Sequence, residues 1–259
     1  MRIVVLVKHV PCTLRGMTFD ADCTLDRAAR RGQLNDADEY AVDQALRIAR
    51  RRRDVQITAV TMGPAAAVGA LRKALILGAD DALHLVDDRL RGSHALATAR
   101  VLAAAVRRLG FDLVLSGAAS SDAAMSAVPP MVAELLGVPV LCFADILQVR
   151  ERRVEIWRDD GAGLQAFAAA LPAVVSVTER CGEPRRPTLA ATLDAHHKLI
   201  RTWTLADLDL DLDAGGGAGP TVVRADAADR GVPARVMLAD DPTVAAIRVA
   251  DFLAVNEFL

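Results

Sequence analysis

Aromatic residues make up only 3% of this 259-residue chain, although 53% of it is hydrophobic. The core is therefore expected to be built from Ala, Val and Leu. Lysine is scarce too, at Lys8, Lys73 and Lys198 alone, so arginine carries nearly all the positive charge. A formal net charge of −2 excludes a general nucleic-acid footprint. The four cysteines, Cys12, Cys23, Cys142 and Cys181, show no C-x-x-C spacing, which argues against a zinc site or a disulfide framework. The longest apolar stretch, Ala166–Val177, is broken by Pro172 and is too short to span a membrane. MRIVVLVKHVP enters a strand pattern directly, which predicts a chain without a secretory leader, soluble and cytoplasmic.

Catalytic signatures are also missing. No G-x-S-x-G elbow, Walker loop or G-x-G-x-x-G after the first strand occurs. His9, His84, His94, His196 and His197 lack ligand spacing, and Asp20, Asp22 and Asp26 read as a solvated acidic loop. Arg50–Arg53 closes a helix, where cations favour the negative end of the dipole, and reads as a solvated helix end.

What is present is alternation of strand and helix. Arg2–Lys8 is a continuous apolar run, as for a strand buried on both faces of a parallel sheet. Asn35 reads as the N-cap of a helix over Asp36–Arg53. Val55–Met62 and Ala82–Val86 are further strands, with a helix between Pro64 and Gly78. Ser93 is expected to cap a helix ending at Gly110, before a strand at Asp112–Ser116 and a helix at Met131–Leu136. This order predicts an α/β fold with a mainly parallel, Rossmann-like sheet and helices on both faces. After Gly137, the runs Val138–Val149, Arg153–Arg158, Leu164–Ala169 and Ala173–Thr178 suggest extra strands with an antiparallel component. Beyond Arg180 the chain reads as irregular, with a glycine-rich linker at Ala214–Pro220 and a C-terminal amphipathic helix within Asp241–Phe258. The expected division is a nucleotide-binding-type domain over 1–187 and a docking loop, linker and helical arm over 188–259.

Between the strand at Asp112–Ser116 and its helix lies GAASSDAAMSAVPP, Gly117 to Pro130. A small-residue loop leaving a buried strand for a helix is where α/β folds hold phosphates through main-chain N–H groups. Its side chains offer little grip: one carboxylate (Asp122), three serines, and otherwise small or apolar groups. A nucleotide-shaped fold without catalytic groups points to cofactor binding or ligand sensing.

RIVVLVKHVP (Arg2–Pro11), LNDADEYAVDQALRI (Leu34–Ile48), ITAVTMGP (Ile57–Pro64), ALRKALILGADDALHL (Ala70–Leu85), FDLVLSG followed by AELLGVP, RDDGAGLQAFAAALPAVVS (Arg158–Ser176) and EPRRPTLAATLDA (Glu183–Ala195) follow one another as they do in a known family. On these residues the chain resembles the β subunits of electron transfer flavoproteins. The resemblance implies a non-enzymatic electron-carrier subunit that pairs with an α subunit as a heterodimer. FAD, held mainly by the α partner, would carry electrons from a donor dehydrogenase to a quinone reductase or other acceptor, with no nucleic acid bound and no membrane insertion. It also implies an AMP, or a second FAD, in the β subunit. The implied nucleotide contacts are Leu6, Asn35, Asp36, Ala37, Asp38, Met62, Gly117, Ala118, Ala119, Ser120, Ser121, Asp122, Ala123, Ala124, Met125, Ser126, Ala127 and Val128. Asp159 takes the place of an acid facing an arginine of the partner beside the flavin, and Leu189 that of a leucine anchored on dehydrogenases.

The departures fall in the loop. Ala119, Ala124 and Ala127 stand where the family has Gln, Asp and Gln, and Thr13 and Ala37 replace aromatics near the flavin. The lysine-rich docking stretch is reduced to Asp194–Lys198, which suggests a dedicated donor dehydrogenase. The occupant of the β-subunit site stays open between AMP, FAD and nothing. The other reading is a stand-alone adenine-nucleotide-binding module, similar to a stress protein.

Overall fold

The computed structural model describes residues 1–12, 20, 25, 31–211 and 241–255. Asp22, Asp26, Cys23, Thr13 and the 214–220 linker lie outside the described residues. In chain order the elements are β1 (Arg2–Leu6), β2 (His9–Pro11), β3 (Gly32–Leu34), α1 (Asp36–Arg51), β4 (Gln56–Met62), α2 (Val68–Leu77), β5 (Asp81–Leu85), α3 (Ala95–Leu109), β6 (Leu113–Gly117) and α4 (Val128–Leu136). They continue with β7 (Val140–Ala144), β8 (Ile146–Arg150), β9 (Arg153–Asp159), β10 (Leu164–Ala170), β11 (Ala173–Val177), α5 (Leu189–His197), β12 (Ile200–Trp203) and α6 (Pro242–Val255). The chain forms two compact units, Met1–Ala225 and Asp226–Leu259.

The first unit is built on a seven-stranded sheet in the order β12-β5-β4-β1-β6-β11-β7. Every pairing in it is parallel. Its strands are apolar on both faces because helices cover both. The first core joins Ile3, Val5 and Ile57 to Val42, Ala45, Leu71 and Leu75 of α1 and α2. The second joins Val4, Leu6 and Val114 to Leu102, Val106 and Val132 of α3 and α4. This is the expected architecture. A separate antiparallel sheet, β10-β9-β8, supplies the extra strands.

Local expectations needed correction. Val138–Val149 is two strands, divided at Asp145, and β7 and β11 join the main sheet in parallel. The segment expected to be irregular contains α5, capped by the Thr188 hydroxyl, which accepts from the Ala191 N–H (3.1 Å), and then β12 on the edge beside β5. The cap of α3 is His94 and not Ser93. The C-terminal helix is present as α6, in the second unit, with Val244, Ile247 and Phe252 exposed. No described helix is long and apolar enough to cross a membrane.

Candidate functional site at the sheet switch point

From β1 the chain winds through α1, β4, α2 and β5 toward one edge, and α3 then carries it back to β6 on the other side of β1. The loops after β1 and β6 therefore diverge, and in open α/β sheets such a switch point is where ligands sit. Here the gap is bridged by the chain itself. Asp38, in the first turn of α1, is buried, and its two carboxylate oxygens accept from the main-chain N–H of Lys8 (2.8 Å) and of Gly117 (3.0 Å). Burial pushes the Asp38 pKa up from 3.8 to about 7, against the opposing pull of those N–H donors and of the Lys8 charge. Gly117 is required by this contact. A Cβ there would lie 2.5 Å from Asp38 Oδ1 and 2.7 Å from the carbonyl carbon of Ala37.

Asn35 departs from its expected role. It occupies the N-cap position of α1 but makes no capping side-chain hydrogen bond. Its Nδ2 donates to the carbonyl of Ala119 (3.0 Å), and its Oδ1 accepts from the Ser121 N–H (3.1 Å). The side chain thus clamps the loop after β6 to the start of α1. A third tie comes from Lys8, whose Nζ meets Asp122 Oδ1 at 2.7 Å and Ser120 Oγ at 3.1 Å. Asp122 has a side chain only 1% exposed. The Ala118 N–H donates to the carbonyl of Val177 on β11 (2.9 Å), and the Ala124 N–H to that of Ser120 (2.8 Å). Ala124 and Ser126 both take left-handed φ, 48° and 53°.

The helix that follows is a poor anion cradle. The cap of α4, Ala127, has no side-chain hydrogen bond to offer, and Pro129 and Pro130 in the first turn lack N–H groups altogether. Leu6, Met62 and Val128 converge in the core beneath α3 and α4. Asp36 is exposed and accepts from Gln33 Nε2 (3.2 Å), a neighbour on its own side. Ala123 and Met125 are exposed.

Asp159 and Leu189 lie elsewhere. Asp159 ends β9, beyond the β7 edge of the main sheet. Its N–H donates to Asp145 Oδ2 (2.9 Å), and Arg180 Nη1 lies 3.6 Å from Asp145 and 3.8 Å from Asp159. Partial burial raises the pKa of Asp145, but the Thr178 hydroxyl, the Asp159 N–H and Arg180 outweigh it and hold the group below its usual value. With Phe143, Arg158 and Asp160 these residues line an open hollow of about 400 Å³. Leu189, 76% exposed, starts α5 by the opposite edge, where α5 packs on α2 and Arg72 donates to the carbonyls of Ala195 and Lys198.

Two features escaped the sequence reading. Lys8 as the ion partner of the loop had one signal, being the first lysine of an otherwise arginine-rich chain and the only one before Lys73. Asp145 had another, as the one carboxylate interrupting the apolar run Val138–Val149. Among the described residues, no group of His, Cys, Asp or Glu is placed to hold a metal ion.

The switch-point crevice and the parallel sheet with helices on both faces define a doubly wound α/β protein. Residues 22–208 match the model of the electron transfer flavoprotein domain. The chain is 38% identical over 230 residues to the electron transfer flavoprotein subunit beta of Mycobacterium bovis, covering 85% of this chain and 86% of that one. It is 33% identical over 207 residues to the subunit beta of Megasphaera elsdenii, covering 77% of each. It is also 33% identical over 234 residues to the protein FixA of Azorhizobium caulinodans, covering 86% of this chain and 83% of that one. The chain belongs to the electron transfer flavoprotein β-subunit family. The match runs past Gly137 through the antiparallel strands and α5, which disfavours a stand-alone nucleotide-binding module.

Proposed function

We propose that this chain pairs with an α subunit to form a heterodimeric electron carrier whose FAD is held mainly by that partner. One observation carries the pairing. Ile146 on β8 and Leu164 on β10, which the strand register places on one face of the antiparallel sheet, are exposed, as are Val140 and Phe143 on β7, and a chain acting alone would leave these apolar side chains in water. FAD supplies the one- and two-electron chemistry. This chain's part is to position it, with the Asp159 carboxylate, oriented through Arg180 and Asp145, facing a cation of the partner beside the flavin. Leu189 on α5 is the contact for a donor dehydrogenase, and a quinone reductase or another acceptor takes the electrons on. Coexpression with an electron transfer flavoprotein α subunit is the test. The expected product is a yellow heterodimer with one FAD, and a colourless chain that never associates with an α subunit would overturn the proposal.

A nucleotide in the β subunit is a separate matter. The residues at the switch point do not fit a mononucleotide gripped by side chains. Asn35 and Asp38 are engaged with main chain, Lys8 is neutralised by Asp122, and Pro129 and Pro130 remove two donors. The reading these residues support is a loop held by its own chain that needs no AMP to fold. Mass spectrometry of the supernatant after denaturation is expected to show FAD without stoichiometric AMP; one AMP per heterodimer would refute this.

A further inference from the structure

α5 does little to hold itself in place. It has nine residues, and isolated helices shorter than about 12–15 residues are marginal in water. Ala195 is its one buried residue. Leu189 and Leu193, spaced i, i+4, are exposed at 76% and 59%, so its apolar stripe faces outward and not into the core. What fixes the helix must come from its neighbours.

The chain that leads into α5 is tied to α1 three times. Gln44 Nε2 donates to the carbonyl of Cys181 (2.8 Å), Arg47 Nη2 to that of Glu183 (3.0 Å), and the Arg185 N–H to the buried Asp43 carboxylate (3.4 Å). The other end is held from α2. The last four carbonyls of a helix have no partner within it. Arg72, half-buried on α2, donates through Nη1 to the carbonyls of Ala195 and, at 3.0 Å, of Lys198, the C-cap. Both bonds place a cation at the negative end of the α5 dipole, where it is favoured. Lys198 returns the tie, its Nζ donating to the carbonyl of Ala79 just beyond α2 (2.9 Å). Arg72 is thus the side chain by which α2 closes the end of α5.

We propose that Arg72 is a positioning residue for electron delivery, fixing from α2 the helix whose outer face meets the donor dehydrogenase. The inference rests on the reading of Leu189 as the donor contact. Arg72 acts on the donor only through where Leu189 and Leu193 are held. These leucines precede the clamped Ala195 carbonyl by about 9 and 3 Å along the helix axis, so a tilt on release displaces both. Lysine would supply donors from a single point in place of a planar fork, and would hold the helix end less well.

The test compares wild type, Arg72→Met and Arg72→Lys, each as the heterodimer with the α subunit. Methionine keeps an unbranched apolar stem and removes the guanidinium. In hydrogen exchange, Arg72→Met is expected to speed exchange about tenfold at the amides of 193–197 and to leave those of α2 and β5 unchanged, with Arg72→Lys between the two. With a dehydrogenase that reduces the wild-type heterodimer, Arg72→Met is expected to raise KM for the heterodimer about fivefold at unchanged kcat and flavin absorption, and to add nothing to the effect of Leu189→Asp. Unchanged exchange in α5, exchange raised equally in α2 and β5, a lower kcat at unchanged KM, or effects additive with Leu189→Asp would each overturn the proposal and leave the donor reading of Leu189 standing. Normal turnover of Leu189→Asp would overturn that reading and this proposal with it, whatever the exchange of α5.

Discussion

Replacing Asp38 by asparagine separates the two forces that act on the switch-point carboxylate. Burial favours the protonated acid and sets its pKa near 7, while the N–H groups of Lys8 and Gly117 favour the ionised form. An acid whose pKa is higher in the folded protein than in the unfolded chain gives stability that is fully present below the unfolded value, near 4, and is lost as pH rises through the folded value. With 3.8 and about 7 as the two limits, the loss between pH 5 and pH 8 is about 2–3 kcal/mol. The asparagine side chain does not titrate. Its NH2 faces one of the two main-chain donors and leaves it unpaired, which costs about 1–3 kcal/mol at every pH. The variant is therefore less stable than wild type at pH 5, and the difference moves in its favour by about 2–3 kcal/mol by pH 8. Urea unfolding followed by fluorescence of Trp157 and Trp203, at pH 5, 6, 7 and 8, measures that gap. Carboxylates such as Asp145, whose lowered pKa makes stability fall toward acid, contribute equally to both proteins and cancel. A gap that widens with pH would refute the reasoning, because it would show that the two N–H donors outweigh burial and keep Asp38 ionised.

Four further outcomes are expected. Gly117→Ala places a Cβ 2.5 Å from Asp38 Oδ1 and against the main chain of Ala37, and should destabilise by about 2–3 kcal/mol in the same urea assay; an unchanged midpoint would refute the packing. Asp122→Asn deprives a partly exposed Lys8 of its ion partner and should cost about 1–2 kcal/mol, with faster amide exchange at Ser121 as the readout. Cys181 is buried and its thiol is pushed up to about 12, so under native conditions at pH 8 a thiol reagent should label exposed Cys12 and spare Cys181, with mass mapping of the labelled peptides as the check. Leu189→Asp should slow reduction of the heterodimer by its donor dehydrogenase while leaving the yield of the flavin-bearing heterodimer unchanged; normal turnover would remove Leu189 from the docking surface.

The parallel sheet was legible because its strands are buried on both faces and read as unbroken apolar runs, each followed by a periodic helix. The segment after Arg180 was not. Leu189–His197 is rich in alanine and exposes both of its leucines, so it carries little amphipathic signal, and β12 is four residues on a sheet edge. Asn35 shows a different limit. Its residue type and position before a helix announce a cap, but its side chain is taken by a loop 84 and 86 residues further on. Propensity is local, and that partner is supplied by topology. The same holds for Gly117, whose lack of a Cβ matters only because Asp38 lies against it.

These clamps explain how an alanine-rich loop persists at a ligand position. Where the loops after β1 and β6 part, main-chain donors at the strand ends need acceptors, and a bound nucleotide is one source of them. Asp38 and Asn35 supply them from within the chain, and the Lys8–Asp122 pair fixes the loop's one carboxylate. Alanine at 119, 124 and 127 then leaves none of those donors unpaired. Buried polar atoms without partners remain at Thr61 Oγ1 and Ser116 Oγ, near the ends of β4 and β6, but both lie within strands and not in the loop. The main-chain donors of Lys8, Gly117 and Ser121 are thus met before any ligand arrives. What the chain leaves unmet is at its edges, in the apolar surface of β7 to β10 and the exposed leucines of α5, and there the partners of an electron carrier would have to bind.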